Sequence, residues 1–181
     1  MTGEQVGGAV TWGLLGAWVV HDLEELATVP GWLRRNVPEL RKRFPQVPER
    51  VWQRAESISA AEFTAAVGVM GAVVGTAAAA GRLTGGRSGF YQSALTGFGL
   101  HGVVHMAQAA AVRGYTPGSV TSPLVVLPFT LWARGRLKQA GVLRPTRPRD
   151  VVVGLAAAGA ATAASHLVSR RLLGAARRRS S

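Results

Sequence analysis

The chain has 181 residues, 48% of them hydrophobic, with 23 Gly and no Cys, and its 21 Lys and Arg leave a net charge of +12. Without Cys there are no disulfides, thiolate-held zinc sites or iron–sulfur clusters. The basic residues gather at the ends of apolar blocks, with no helix-turn-helix, zinc finger or aromatic platform beside them, so the charge argues for topology and anionic lipid headgroups rather than nucleic acid.

Those blocks predict an all-α, polytopic transmembrane helix bundle of about five segments, a single domain over residues 1–181. The N-terminus lacks a basic stretch, and the first span carries carboxylates, so an uncleaved helix is expected over 6–28, ending at Pro30. Residues 29–57 read as an interfacial amphipathic joint. There Trp32 with Arg34 and Arg35, and Trp52 with Arg50 and Arg54, form short helices broken by Pro38, Pro45 and Pro48. The second span, 58–80, carries Glu62 and a stripe of Gly68, Gly71 and Gly75 that suits close packing within the chain, with a homodimer as the alternative.

A third span, 90–112, holds His101, His105 and Gln108, and is followed by the turn 113–118. The fourth segment, 119–132, is short and contains Pro123 and Pro128, which makes it a kinked short span or a re-entrant hairpin. A basic joint over 134–150, a fifth span over 151–168 and an Arg-rich tail over 170–181 complete the chain. If all segments cross, the first joint, the Arg113 turn and the tail carry 7, 1 and 5 Lys or Arg, against 0, 2 and 6 opposite. The balance favours an outside N-terminus and a cytoplasmic C-terminus in a bacterial inner membrane; a re-entrant fourth segment reverses the tail.

His21, Glu24 and Glu25 stand in the first span, where ionisable groups are costly and mark a working site. At 100° per residue Glu25 lies about 40° from His21 and Glu24 about 60° on the other side, whereas Asp22 points about 100° away, toward headgroups or the basic joint. His101 and His105 are spaced i, i+4, as metal-binding helices require. Counting at about 1.5 Å per residue from each midpoint puts His21, His105, Glu62, Glu25 and His166 within one layer on the side of the 29–57 joint. This predicts a transition-metal site of His21, Glu25, Glu62, His101 and His105. Glu24 serves there as a further ligand or catalytic proton acceptor, and His166, with no partner at helical spacing, stands behind the ligands or serves a structural role. Such donors suit iron or zinc, singly or as a bridged pair with a mild preference for a di-iron type. Nucleophile-elbow, P-loop and dinucleotide motifs are missing, and a bis-histidine haem suits so many acid groups less well.

At these residues the chain resembles the HXXEE family of small bacterial membrane proteins. The motif stands as His21-Asp22-Leu23-Glu24-Glu25, followed by Pro30-Gly31-Trp32, His101-x-x-x-His105 and Tyr115-Thr116-Pro117-Gly118-Ser119-Val120-Thr121. The resemblance covers most of residues 12–130; it implies membrane location and these site residues, and leaves the reaction open. The expectation is an integral-membrane metalloenzyme acting on a lipophilic small molecule. The alternatives are a metal-free proton or ion carrier and a structural bundle registered by buried Glu–His pairs.

Overall fold

In a computed structural model, which describes residues 6–145, 159–160 and 162–171, the chain forms α1 (Gly8–Arg43), α2 (Glu49–Ser57), α3 (Ala60–Leu83), α4 (Gly89–Val112) and α5 (Leu127–Gln139). A π-helical turn, Ser122–Val126, leads into α5, and residues 162–171 are also helical. No strand occurs among the described residues, as expected. Half of the fifth segment expected over 151–168, and the basic tail after residue 171, lie outside them.

Among the described residues one helix, Ala60–Leu83, is long and apolar enough to cross a membrane. The helices α1 and α4, of 36 and 24 residues, have the length but carry His, Asp, Glu or Gln along it.

Small residues bring the helices together in an up-down-up-down order. Trp18 lies over Gly71 and Leu15 reaches Gly75, so α1 and α3 run antiparallel, and these two glycines of the expected stripe are used inside the chain, whereas a Cβ on Gly68 would meet nothing within 4 Å. Thr130 meets Gly99 while Val126 and Leu127 meet Gly102, which sets α5 antiparallel to α4. Phe129 covers Gly13, and Thr121 reaches His21, so the same strut runs against α1. Consequently the late part of α1, the start of α3, the end of α4 and the approach to α5 share one end of the bundle.

Two stripes form the core. On α1 it is Val10, Leu14 and Ala17, and on α4 Tyr91, Leu95 and Phe98, with Val126, Ala133 and Leu137 filling between them. The Tyr91 hydroxyl donates to the Val10 carbonyl at 2.5 Å, which leaves that buried phenol satisfied. Outward-facing positions are apolar too: Leu124 and Leu131 are 70% and 71% exposed, and Leu23 and Val103 also face out. Inside, by contrast, Thr11, His21, Asp22, Gln92 and Ser122 are buried.

The first helix does not stop at Pro30. It continues through Pro30 and Pro38 to Arg43, although each interior proline forfeits a backbone bond and costs roughly 3 kcal/mol. Anchors beyond the prolines offset that cost. Trp32 Nε1 donates to the Tyr115 carbonyl at 3.0 Å, and Arg43 donates to the carbonyls of Val112 and Ala111 at 2.7 and 3.0 Å, capping the C-terminus of α4. Arg41 pairs with Glu49 and Glu56 of α2 at 3.3 and 2.9 Å, so α2 alone remains of the short helices expected in the joint. The fourth segment also runs further than expected, past Trp132 to Gln139, because the π turn takes in Pro123 without ending the helix.

Candidate metal centre

The core stripes lead directly into the site. Val10, Leu14 and Ala17 are followed at the same helical spacing by His21, and Leu95, Phe98 and Gly102 by His105. Where two packed apolar stripes both change to imidazole at one level, the side chains must meet. The ring of His21 stands 5.1 Å from that of His101 and 5.0 Å from that of His105, centroid to centroid. His105 Nε2 is 2.8 Å from His101 Nε2 and 3.3 Å from Glu25 Oε1. Ligand atoms of His21, Glu25, His101 and His105 all lie within 4.8 Å of one another. His21 and His105 are buried, Glu25 is partly so, and His101 is open to the outside.

Two nitrogens in this group are unsatisfied. His21 Nε2 and His105 Nδ1 are buried and have no hydrogen-bond partner, a state that costs about 1–3 kcal/mol each when nothing fills it. The other nitrogen of His21, Nδ1, is 2.8 Å from Thr121 Oγ1.

Glu24 is turned away from the imidazoles toward the 115–121 loop. It accepts from Thr121 N at 2.8 Å, Thr121 Oγ1 at 2.6 Å, Tyr115 Oη at 3.0 Å and Val120 N at 3.4 Å. Partial burial raises the Tyr115 phenol above its usual value, so it stays a proton donor to Glu24. The loop closes over the site at Gly118, whose φ of +80° favours glycine. A Cβ there would stand 2.7 Å from His105 Cε1 and 2.9 Å from His21 Cε1.

Glu62, expected as a ligand, is not in this group. Ser59 Oγ accepts from the Glu62 backbone N–H at 3.1 Å and fixes it in the first turn of α3, and its carboxylate pairs with Arg54 of α2 and, at 3.0 Å, with His166 Nδ1. The reason is angular. The helix α3 packs on the Leu15 and Trp18 face of α1, about 100° from the His21 stripe, so sharing a depth with the histidines does not bring Glu62 to them. Asp22 follows the same α3-facing spacing and is buried, not turned to headgroups as expected. His166 lies behind Glu62, with Phe63 6.3 Å from its ring.

Thr121 and Gly118 also border the site, and neither stands out in the sequence as a site residue. The signal was present only in the glycine of the 115–121 turn, because contacts from a loop follow no helical period.

The family described as "Protein of unknown function with HXXEE motif" matches residues 12–133, a stretch that includes His21, Glu24, Glu25, His101, His105 and Thr121. The chain belongs to this HXXEE family. No match was found among curated proteins or solved structures. In this HXXEE chain the named motif splits between two tasks: His21 and Glu25 join the imidazole cluster, and Glu24 holds the loop. The helix containing His166 falls outside the matched stretch, whereas its partner Glu62 lies inside it.

Proposed function

We propose that this chain is an integral-membrane metalloprotein that holds a single transition-metal ion on His21, Glu25, His101 and His105 and uses it on a lipophilic molecule arriving from the bilayer. The observation that carries the reading is the convergence of three imidazoles and one carboxylate, from α1 and α4, in which His21 Nε2 and His105 Nδ1 are buried and lack any partner. Three neutral nitrogens and one carboxylate oxygen suit zinc or ferrous iron. A bridged pair of metals needs more carboxylates than Glu25, and Glu24 and Glu62 are engaged elsewhere, so one ion is favoured over two. Such an ion polarises an oxygen of water or substrate.

The apolar outer surface and polar interior support the membrane reading, in which α1, α3 and α4 cross and the Arg-rich 29–57 end faces the cytoplasm. His101, the exposed member of the four, shares a helix face with Gly97, Val104 and Gln108. A Cβ on Gly97 would meet nothing within 4 Å, which leaves that face open beside the metal for a slender apolar ligand.

The test is metal content per chain after purification in detergent. Wild type is expected to carry about one iron or zinc per chain, His105→Ala to lose it and His166→Ala to keep it. Equal content in all three overturns the ligand assignment. Wild type free of metal after reconstitution with iron, zinc and manganese overturns the metal reading in favour of a proton relay, and release of the protein by carbonate alone overturns the membrane reading.

A further inference from the structure

Imidazole can ligate through either nitrogen, and only the one without a proton is available. In His21 the choice is set by a chain of two residues, Thr121 and Glu24. Glu24 Oε2 receives both the Thr121 backbone N–H, at 2.8 Å, and the Thr121 hydroxyl, at 2.6 Å. A carboxylate only accepts here, so the single hydroxyl proton of Thr121 points at Glu24. What Thr121 Oγ1 offers His21 Nδ1, 2.8 Å away, is therefore a lone pair. The Nδ1 atom must carry the proton, and Nε2, buried and without a partner, is left with its lone pair free.

We propose that Thr121 and Glu24 are positioning residues that lock His21 as the Nδ1–H tautomer and so present Nε2 to the metal. The inference rests on the metal-centre reading above, and it assigns the first Glu of the motif to outer support and the second to ligation. It also makes the 115–121 loop part of the centre, since the same Glu24 carboxylate gathers Tyr115, Val120 and Thr121. Partners of this kind hold a ligand ring in orientation and typically change metal affinity about 10–100-fold when removed.

The experiment uses the full chain in detergent, with Co(II) as the probe. Thr121→Val keeps the shape and the backbone N–H bond to Glu24 but removes the hydroxyl, whereas Thr121→Ser keeps the hydroxyl. The expected result is a Co(II) affinity lowered about 10–100-fold with an altered visible absorption band in Thr121→Val, and near wild-type affinity and spectrum in Thr121→Ser. Wild-type affinity and spectrum in Thr121→Val, or equal loss in both variants, overturns the proposal. Nitrogen-15 spectra of histidine-labelled, metal-free protein read the tautomer independently of metal. His21 is expected as Nδ1–H in wild type and as a mixture in Thr121→Val. An Nε2–H signal in wild type overturns the lock even if Co(II) binds, while an Nδ1–H signal with no Co(II) binding upholds the lock and refutes the metal reading alone.

Discussion

Two groups of acid and imidazole side chains sit at the same end of the bundle, and they differ in what neutralises them. Around Glu62 the carboxylate has an Arg54 guanidinium and the His166 ring as partners, and Ser59 caps the backbone beneath it. Around Glu25 there are three imidazoles, and no Lys or Arg pairs with it among the described residues. The first group is complete as it stands. The second has donors gathered together and no Lys or Arg of its own among the described residues, with two ring nitrogens, His21 Nε2 and His105 Nδ1, unsatisfied. Residue type alone does not separate a structural ion pair from a ligand set; the presence or lack of a built-in positive charge does.

The contrast between the two groups is lost most severely when a proposed ligand is replaced. His105→Ala or Glu25→Gln is expected to weaken metal binding beyond the ~10–100-fold typical of an outer partner, read as Co(II) or Zn(II) affinity by chelator competition. A variant of either kind that binds as wild type does would remove the distinction between the two groups. Next in size, Gly118→Ala puts a side chain at a left-handed position against both His21 and His105, and should cost about 1–3 kcal/mol of stability together with metal affinity. A thermal scan and a metal titration on the same sample check it, and an unchanged melting temperature would mean that the loop does not seat on the rings.

In the other group the effects should fall on stability alone. Glu62→Ala leaves Arg54 and His166 without their shared partner and is expected to destabilise by about 1–3 kcal/mol, with metal content per chain unchanged. Metal loss there would return Glu62 to the ligand set. The smallest change is His166→Ala, about 0.5–1.5 kcal/mol for one hydrogen bond to a carboxylate that keeps Arg54. Comparing its detergent melting temperature with that of Glu62→Ala tests the order.

The layer that holds both groups was legible in the sequence because antiparallel spans of expected length fix depth: His21 and His105 come late in the expected spans 6–28 and 90–112, and Glu62 comes early in 58–80. Azimuth was not legible for Glu62. A helical wheel gives the angle between residues on one helix, as it did for His21 and Glu25, but not which neighbour each face meets. Likewise Pro30 read as a stop, since the anchors that carry α1 past it, Trp32 to Tyr115 and Arg43 to the end of α4, join residues about seventy or more positions apart. Thr121 was hidden for the same reason: it reaches His21 and Glu24 across roughly a hundred residues.

The π turn at Ser122–Val126 has a consequence for the phase of everything after it. A π turn holds about one residue more than an α turn, and one residue is worth about 100° of helical rotation. Thr121 is pinned to Glu24 on one side of that turn, while Thr130, Ala133 and Leu137 face inward on the other. Drawn as uninterrupted α-helix from the same anchored start, the strut would arrive with those side chains rotated off the core and Gly99 no longer opposite Thr130. The extra residue works as a vernier between the loop that frames His21 and the apolar seam that holds the bundle shut, letting each keep its own alignment.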